Sequence, residues 1–120
     1  MINSLLDVLT NVLPLKAEKV LWDGDALVIS GDGWFFSTLS AWRVSSGGVV
    51  QFACWDKNID KFLDELEGLD VVAVNHQGAI ISVDPVFELS DGRMLEIFST
   101  DTVEPWVLRL PNGEVYSGGS

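Results

Sequence analysis

Apolar side chains recur along this chain with two different periods, and the switches between them mark out its elements. From Ser4 to Leu13, the residues Leu5, Leu6, Leu9, Val12 and Leu13 fall at helical spacing. Ser4 is suited to cap the free N–H groups of a first turn, Asp7 brings a negative charge to the positive helix end, and Pro14 disfavours helical geometry at Leu13. A second helix is predicted between Asn58 and Glu67, where Ile59, Phe62, Leu63 and Leu66 form one apolar stripe. Asp56 or Asn58 would cap it, and Gly68 follows where a left-handed terminating residue is wanted. Lys57, Asp60, Lys61, Asp64 and Glu65 then lie on its wet face.

The rest reads as strand and turn. Before the second helix the strands are Glu18–Trp22, Ala26–Ser30, Trp34–Leu39, Ala41–Ser45 and Val49–Cys54. After it come Asp70–Asn75, Ala79–Val83, Val86–Leu89, Arg93–Ser99, Trp106–Leu110 and Glu114–Tyr116. Asp23-Gly24, Asp32-Gly33, Gly47-Gly48, Asp91-Gly92 and Asn112-Gly113 punctuate them, and connections this short demand antiparallel neighbours. One hairpin permits a register argument. A two-residue Asp91-Gly92 loop would put Glu96 on the face of Phe87 and Leu89. A loop of Ser90, Asp91 and a left-handed Gly92 pairs Phe87 with Leu95, so that Phe87, Leu89, Leu95 and Ile97 share one face. Burial patterning selects the longer loop.

The two halves of the chain also resemble each other. Ile2 to Asn11 aligns with Ile59 to Gly68 at four identities in ten, and Val20 to Ser30 aligns with Ile80 to Ser90. Trp42-Arg-Val before Gly47-Gly48 matches Trp106-Val-Leu before Asn112-Gly113. The expectation is an α+β fold: one domain over residues 1–120, pseudo-symmetric from two α-then-β halves at about 1–57 and 58–120. Two short helices would pack on a mostly antiparallel sheet.

Composition narrows the function classes. The 120 residues suit one domain, and an apolar content of 48% argues against disorder. Acidic residues number 18 against 7 basic ones, and the net charge of −11 repels nucleic acid and anionic membranes while favouring a cationic partner. With Cys54 as the single cysteine, no disulfide can form within the chain. No signal peptide and no run long enough to span a bilayer is legible, so a cytoplasmic protein is expected.

Candidate chemistry is sparse. A calcium loop starting at Asp23 fails, because its fifth and sixth positions are Leu27 and Val28. Cys54 and His76 would have to meet in space for nucleophilic catalysis, and Glu88 with Glu96 would need a pKa raised by burial to serve as a carboxylate pair. Phosphate-cradling glycine motifs are absent. No catalytic residue, metal or cofactor is expected. The five tryptophans are the most unusual feature. Trp42 and Trp106, at matched positions, read as framework; Trp22 with Asp23 and Asp25, and Trp55 with Asp56 and Asp60, read as aromatic anchors beside acids.

The pattern Leu89-Ser-Asp-Gly-Arg-Met-Leu-Glu-Ile97, followed by Glu104-Pro-Trp-Val-Leu108, resembles a group of small bacterial proteins. These carry a D-G hairpin, an L-x-I strand and an E-x-W-x-L strand, and Ser40-Ala-Trp-Arg-Val44 resembles the S-x-W-R motif of their first half. Some of that group look like immunity or accessory proteins of toxin systems, and the group supplies no catalytic residues. The expected function is therefore a non-enzymatic protein-binding domain, of the kind that inhibits a basic bacterial toxin. The contacts would be Trp22, Asp23, Asp25, Trp55, Asp56 and Asp60. The alternative is a small-ligand-binding domain with a tryptophan-lined pocket between helix and sheet.

Overall fold

Eleven strands and one helix stand among residues 11–76, 85–98 and 106–117, which the computed structural model describes. The first half holds β1 (Leu15–Lys16), β2 (Lys19–Trp22), β3 (Leu27–Gly31), β4 (Trp34–Thr38), β5 (Ala41–Ser46) and β6 (Val49–Ala53). Helix α1 (Ile59–Asp64) leads into β7 (Asp70–His76), β8 (Pro85–Leu89), β9 (Met94–Phe98), β10 (Trp106–Arg109) and β11 (Val115–Ser117). They form a six-stranded sheet in the order β1-β7-β8-β9-β5-β6 and a five-stranded sheet in the order β11-β10-β4-β3-β2. Every pairing is antiparallel.

This overturns the expected α+β architecture: the fold is mostly β, two antiparallel sheets with one short helix among the described residues. The first expected helix lies outside the described residues apart from its end, where Asn11 and Val12 are helical. The expected strand Ala79–Val83 and the loop following His76 lie outside them too. Helix α1 is shorter than its apolar stripe predicts. Asn58 precedes it with a left-handed backbone and no side-chain cap, and the Asp56 carboxylate instead accepts the Ala53 N–H at 2.7 Å. Beyond Asp64 the chain tightens into i→i+3 bonds and ends at Gly68, whose φ of 91° is the left-handed value expected there. Apolar periodicity continues through Leu66, but six residues of regular helix are all that form.

Each half contributes to both sheets. The meander β2-β3-β4 is completed by β10-β11 from the second half, and the meander β7-β8-β9 by β5-β6 from the first. At the two junctions Trp42 pairs with Ile97 and Val44 with Leu95, while Trp106 pairs with Thr38 and Leu108 with Phe36. Alternation in every inner strand then sends these side chains inward. Trp42, Trp106, Phe36, Leu95, Ile97 and Leu108 are all buried in one core shared by the two sheets. Phe36 and Phe87 meet edge to face across the layers, with centroids 4.7 Å apart, and Trp22 meets Trp42 in the same way at 5.5 Å. The β8–β9 hairpin has the longer loop, with Phe87 opposite Leu95 and the Leu89 N–H bonded to the Arg93 carbonyl.

The chain crosses between sheets at residues 16–19. Lys16 pairs with Asp70 in the six-stranded sheet, and Lys19 with Ser30 in the five-stranded one. Between them, buried Ala17 donates to the Leu69 carbonyl at 2.8 Å and accepts from the Gly68 N–H at 2.7 Å. The Trp34 indole N–H donates to the Lys16 carbonyl at 3.0 Å and holds β4 to the crossing. Gly31 leaves the room for this bond, since a Cβ there would collide with both the Lys16 oxygen and Trp34 Nε1. Gly31→Ala is expected to lower stability by about 1–3 kcal/mol, read from the urea midpoint at unchanged slope.

Candidate functional site

Helix α1 lies alongside β2, the outermost strand of the five-stranded sheet, and an open groove of about 540 Å³ is lined by residues of both elements. Its apolar part is Val20, Leu21, Trp22, Ala26, Val28 and Leu63; its acidic part is Asp23, Asp60, Asp64 and Glu67. Strand alternation explains the first set. Val20 points into the core, so Leu21 points out and is 59% exposed, large for a leucine beside an open groove. Helical spacing places Asp60 and Asp64 one turn apart on one face of α1, and Glu67 follows in the i→i+3 turns beyond the helix.

The carboxylates have unequal duties. The Glu67 carboxylate accepts the Val20 N–H at 3.0 Å and so closes part of the open edge of β2. Asp23 shapes the β2–β3 turn, accepting the N–H groups of Ala26 and Asp25 at 2.7 and 2.8 Å. Those two bonds, Ala26 first, stabilise its charged form and lower its pKa. Asp60 and Asp64 are exposed and, among the described residues, neither takes part in an ion pair. The acids are dispersed: no group of three or more His, Cys, Asp or Glu among the described residues could hold a metal ion. Such an arrangement suits several separate cations better than one ion.

Of the expected contacts, the structure brings Trp22, Asp23 and Asp60 to this groove. Trp22 is half-buried, its ring standing edge to face with Trp42, so it serves the core as well. Asp25 is exposed in the turn next to Asp23, outside the groove lining. Trp55 and Asp56 do not line it either. Trp55 is 72% exposed beyond β6, and Asp56 is engaged in the turn bond to Ala53. Leu21, Val28, Asp64 and Glu67 line the groove as well and are not among the expected contacts. The spacing of Asp60, Asp64 and Glu67 was available as a signal, but nothing in it names the strand opposite.

The other candidates separate. Strands β8, β9 and β5 stand between β7, where His76 lies, and β6, which Cys54 follows, a distance on the order of 15–20 Å. Glu96 receives hydrogen bonds from Arg43 Nε at 3.1 Å and Ser45 Oγ at 2.7 Å. Burial pushes its pKa up, but the bonds from Arg43 and Ser45 and the Arg43 charge outweigh that and hold it low, the reverse of a catalytic acid. The apolar cavity between the layers, lined by Phe36, Phe87, Leu95 and their neighbours, holds only about 10 Å³, too little for a ligand. No helix among the described residues is long and apolar enough to cross a membrane.

Two measurements follow from these charges. Because the folded-state pKa of Glu96 lies below its unfolded value, its contribution is complete above about pH 4.3 and is lost as pH falls through the folded value. Glu96→Gln should therefore destabilise at pH 7 and match the parent more closely near pH 3, compared by thermal melts. Asp64 repels Asp60 one turn away, so Asp64→Asn should stabilise the free protein by about 0.2–0.5 kcal/mol. A loss of stability would show that Asp64 has a structural duty.

Compared with protein-family models, curated proteins and solved structures, the chain matches none.

Proposed function

We propose that this chain is a non-enzymatic protein-binding domain whose partner is basic, acting as immunity-type inhibitors of basic bacterial toxins do. The observation that carries the reading is the groove between α1 and β2, where exposed Leu21 lies among acids that form no ion pair among the described residues. A net charge of −11 extends that local field over the whole molecule and accelerates encounter with a cation. Apolar surface then retains what the field attracts, because charge governs association more than residence. The resemblance of the Leu89–Ile97 and Glu104–Leu108 segments to small bacterial proteins, some of them immunity-like, supports the inhibitory sense.

The test is to co-express the chain with the product of its neighbouring gene, purify any complex and follow association against sodium chloride. A basic partner is expected, with its toxicity suppressed and an association rate falling by at least about tenfold from low to high salt. A neutral or acidic partner, or a rate indifferent to salt, would overturn the reading.

A further inference from the structure

We infer that the groove between α1 and β2 seats a short basic segment of the partner, with one bulky apolar side chain on Leu21 and Val28 and flanking lysines or arginines reaching Asp60 and Asp64. This deepens the reading of a cationic partner and rests on it.

Four features of the molecule point to this occupant. The floor is apolar: Leu21 is 59% exposed, and half-buried Val28 stands opposite it in the β2–β3 register. An apolar anchor placed there would cover both side chains at once. Asp60 and Asp64 stand one turn apart on the helix, Glu67 in the turn beyond it and Asp23 on the β2–β3 turn, so the acids match charges repeated along a chain rather than a single ion. Asp60 and Asp64 form no ion pair with any described residue, and a cation from a partner would relieve their mutual repulsion one turn apart. Finally, the groove has room for side chains, at about 540 Å³, whereas the cavity between the layers does not.

The exposed apolar edge of β6 is less suited to a strand-like partner. Edge strand β6 exposes Val49 and Val50, but its pairing with β5 shifts register past Val44, and Asp56 occupies the Ala53 N–H. An irregular and partly capped edge resists addition of another strand.

The probes are two fluorescein-labelled peptides of equal charge, one with a leucine pair set among lysines and the other oligolysine. Their binding to the full chain is read by fluorescence anisotropy at low salt. The leucine-containing peptide is expected to bind on the order of tenfold more tightly, and Leu21→Ser to remove most of that difference. Asp64→Asn should weaken both peptides by about threefold, while Asp32→Asn, the same charge change on the β3–β4 turn, should leave them nearly unchanged. All three positions are exposed, and melting curves establish that each variant is folded. Equal affinity for the two peptides would overturn the apolar anchor. Equal losses in the Asp64 and Asp32 variants would overturn the groove while leaving a cationic partner in place. Failure of both peptides to bind would remove both readings together.

Discussion

Everything on one side of this molecule depends on the chain crossing from one sheet to the other between Lys16 and Lys19. A backbone leaving a sheet abandons its ladder, and buried N–H and C=O groups must find other partners. Here Ala17 bonds to Leu69 and Gly68, Glu18 bonds to Ser30, and the Trp34 indole closes on the Lys16 carbonyl. Those bonds tie the end of the helical segment, both sheets and an inward tryptophan to four consecutive residues. They also decide that β2 runs beside α1, so the groove is a by-product of how the two layers are joined.

The groove shows a conflict between local stability and surface chemistry. Arg43 and Arg93 pair with Glu96, Asp91 and Glu65, and no ion pair among the described residues includes Asp60 or Asp64. Like charges one turn apart weaken a helix that is already short and lacks a side-chain cap. Leu21 on the same groove withholds apolar surface from the core. Each feature costs a little in the free protein, and each is what a basic partner with an apolar anchor would offset.

Strand positions were legible because their signals are local. Alternation and glycine turns locate ten of the eleven strands among the described residues to within a residue or two, and the faces of Phe87 and Leu95 are enough to choose the β8–β9 loop. The two-residue strand β1 carries too few positions to show a period. Fold class failed for a different reason. Two hairpins are compatible with one sheet or with two, and what assigns them is where the chain changes layer, at residues 16–19, between Thr38 and Ala41, and between Phe98 and Trp106. Those segments carry no periodicity of their own. The similarity of the halves points at matched tryptophans, and both are buried at the junctions, but each lies in the sheet built on the other half's meander.

The sequence by itself determined the acidic charge, the hairpins and the inward faces, since each follows from residue type and from neighbours a few positions away. It also named Trp22, Asp23 and Asp60, though as members of two separate groups. Only the tertiary structure decided that they share a groove with Leu21 and Asp64, and that Trp55 and Asp56 do not line it. That division has a physical basis. Side-chain direction is set by local backbone geometry, whereas the meeting of α1 with β2, some forty residues apart, depends on the packing of two layers around one core.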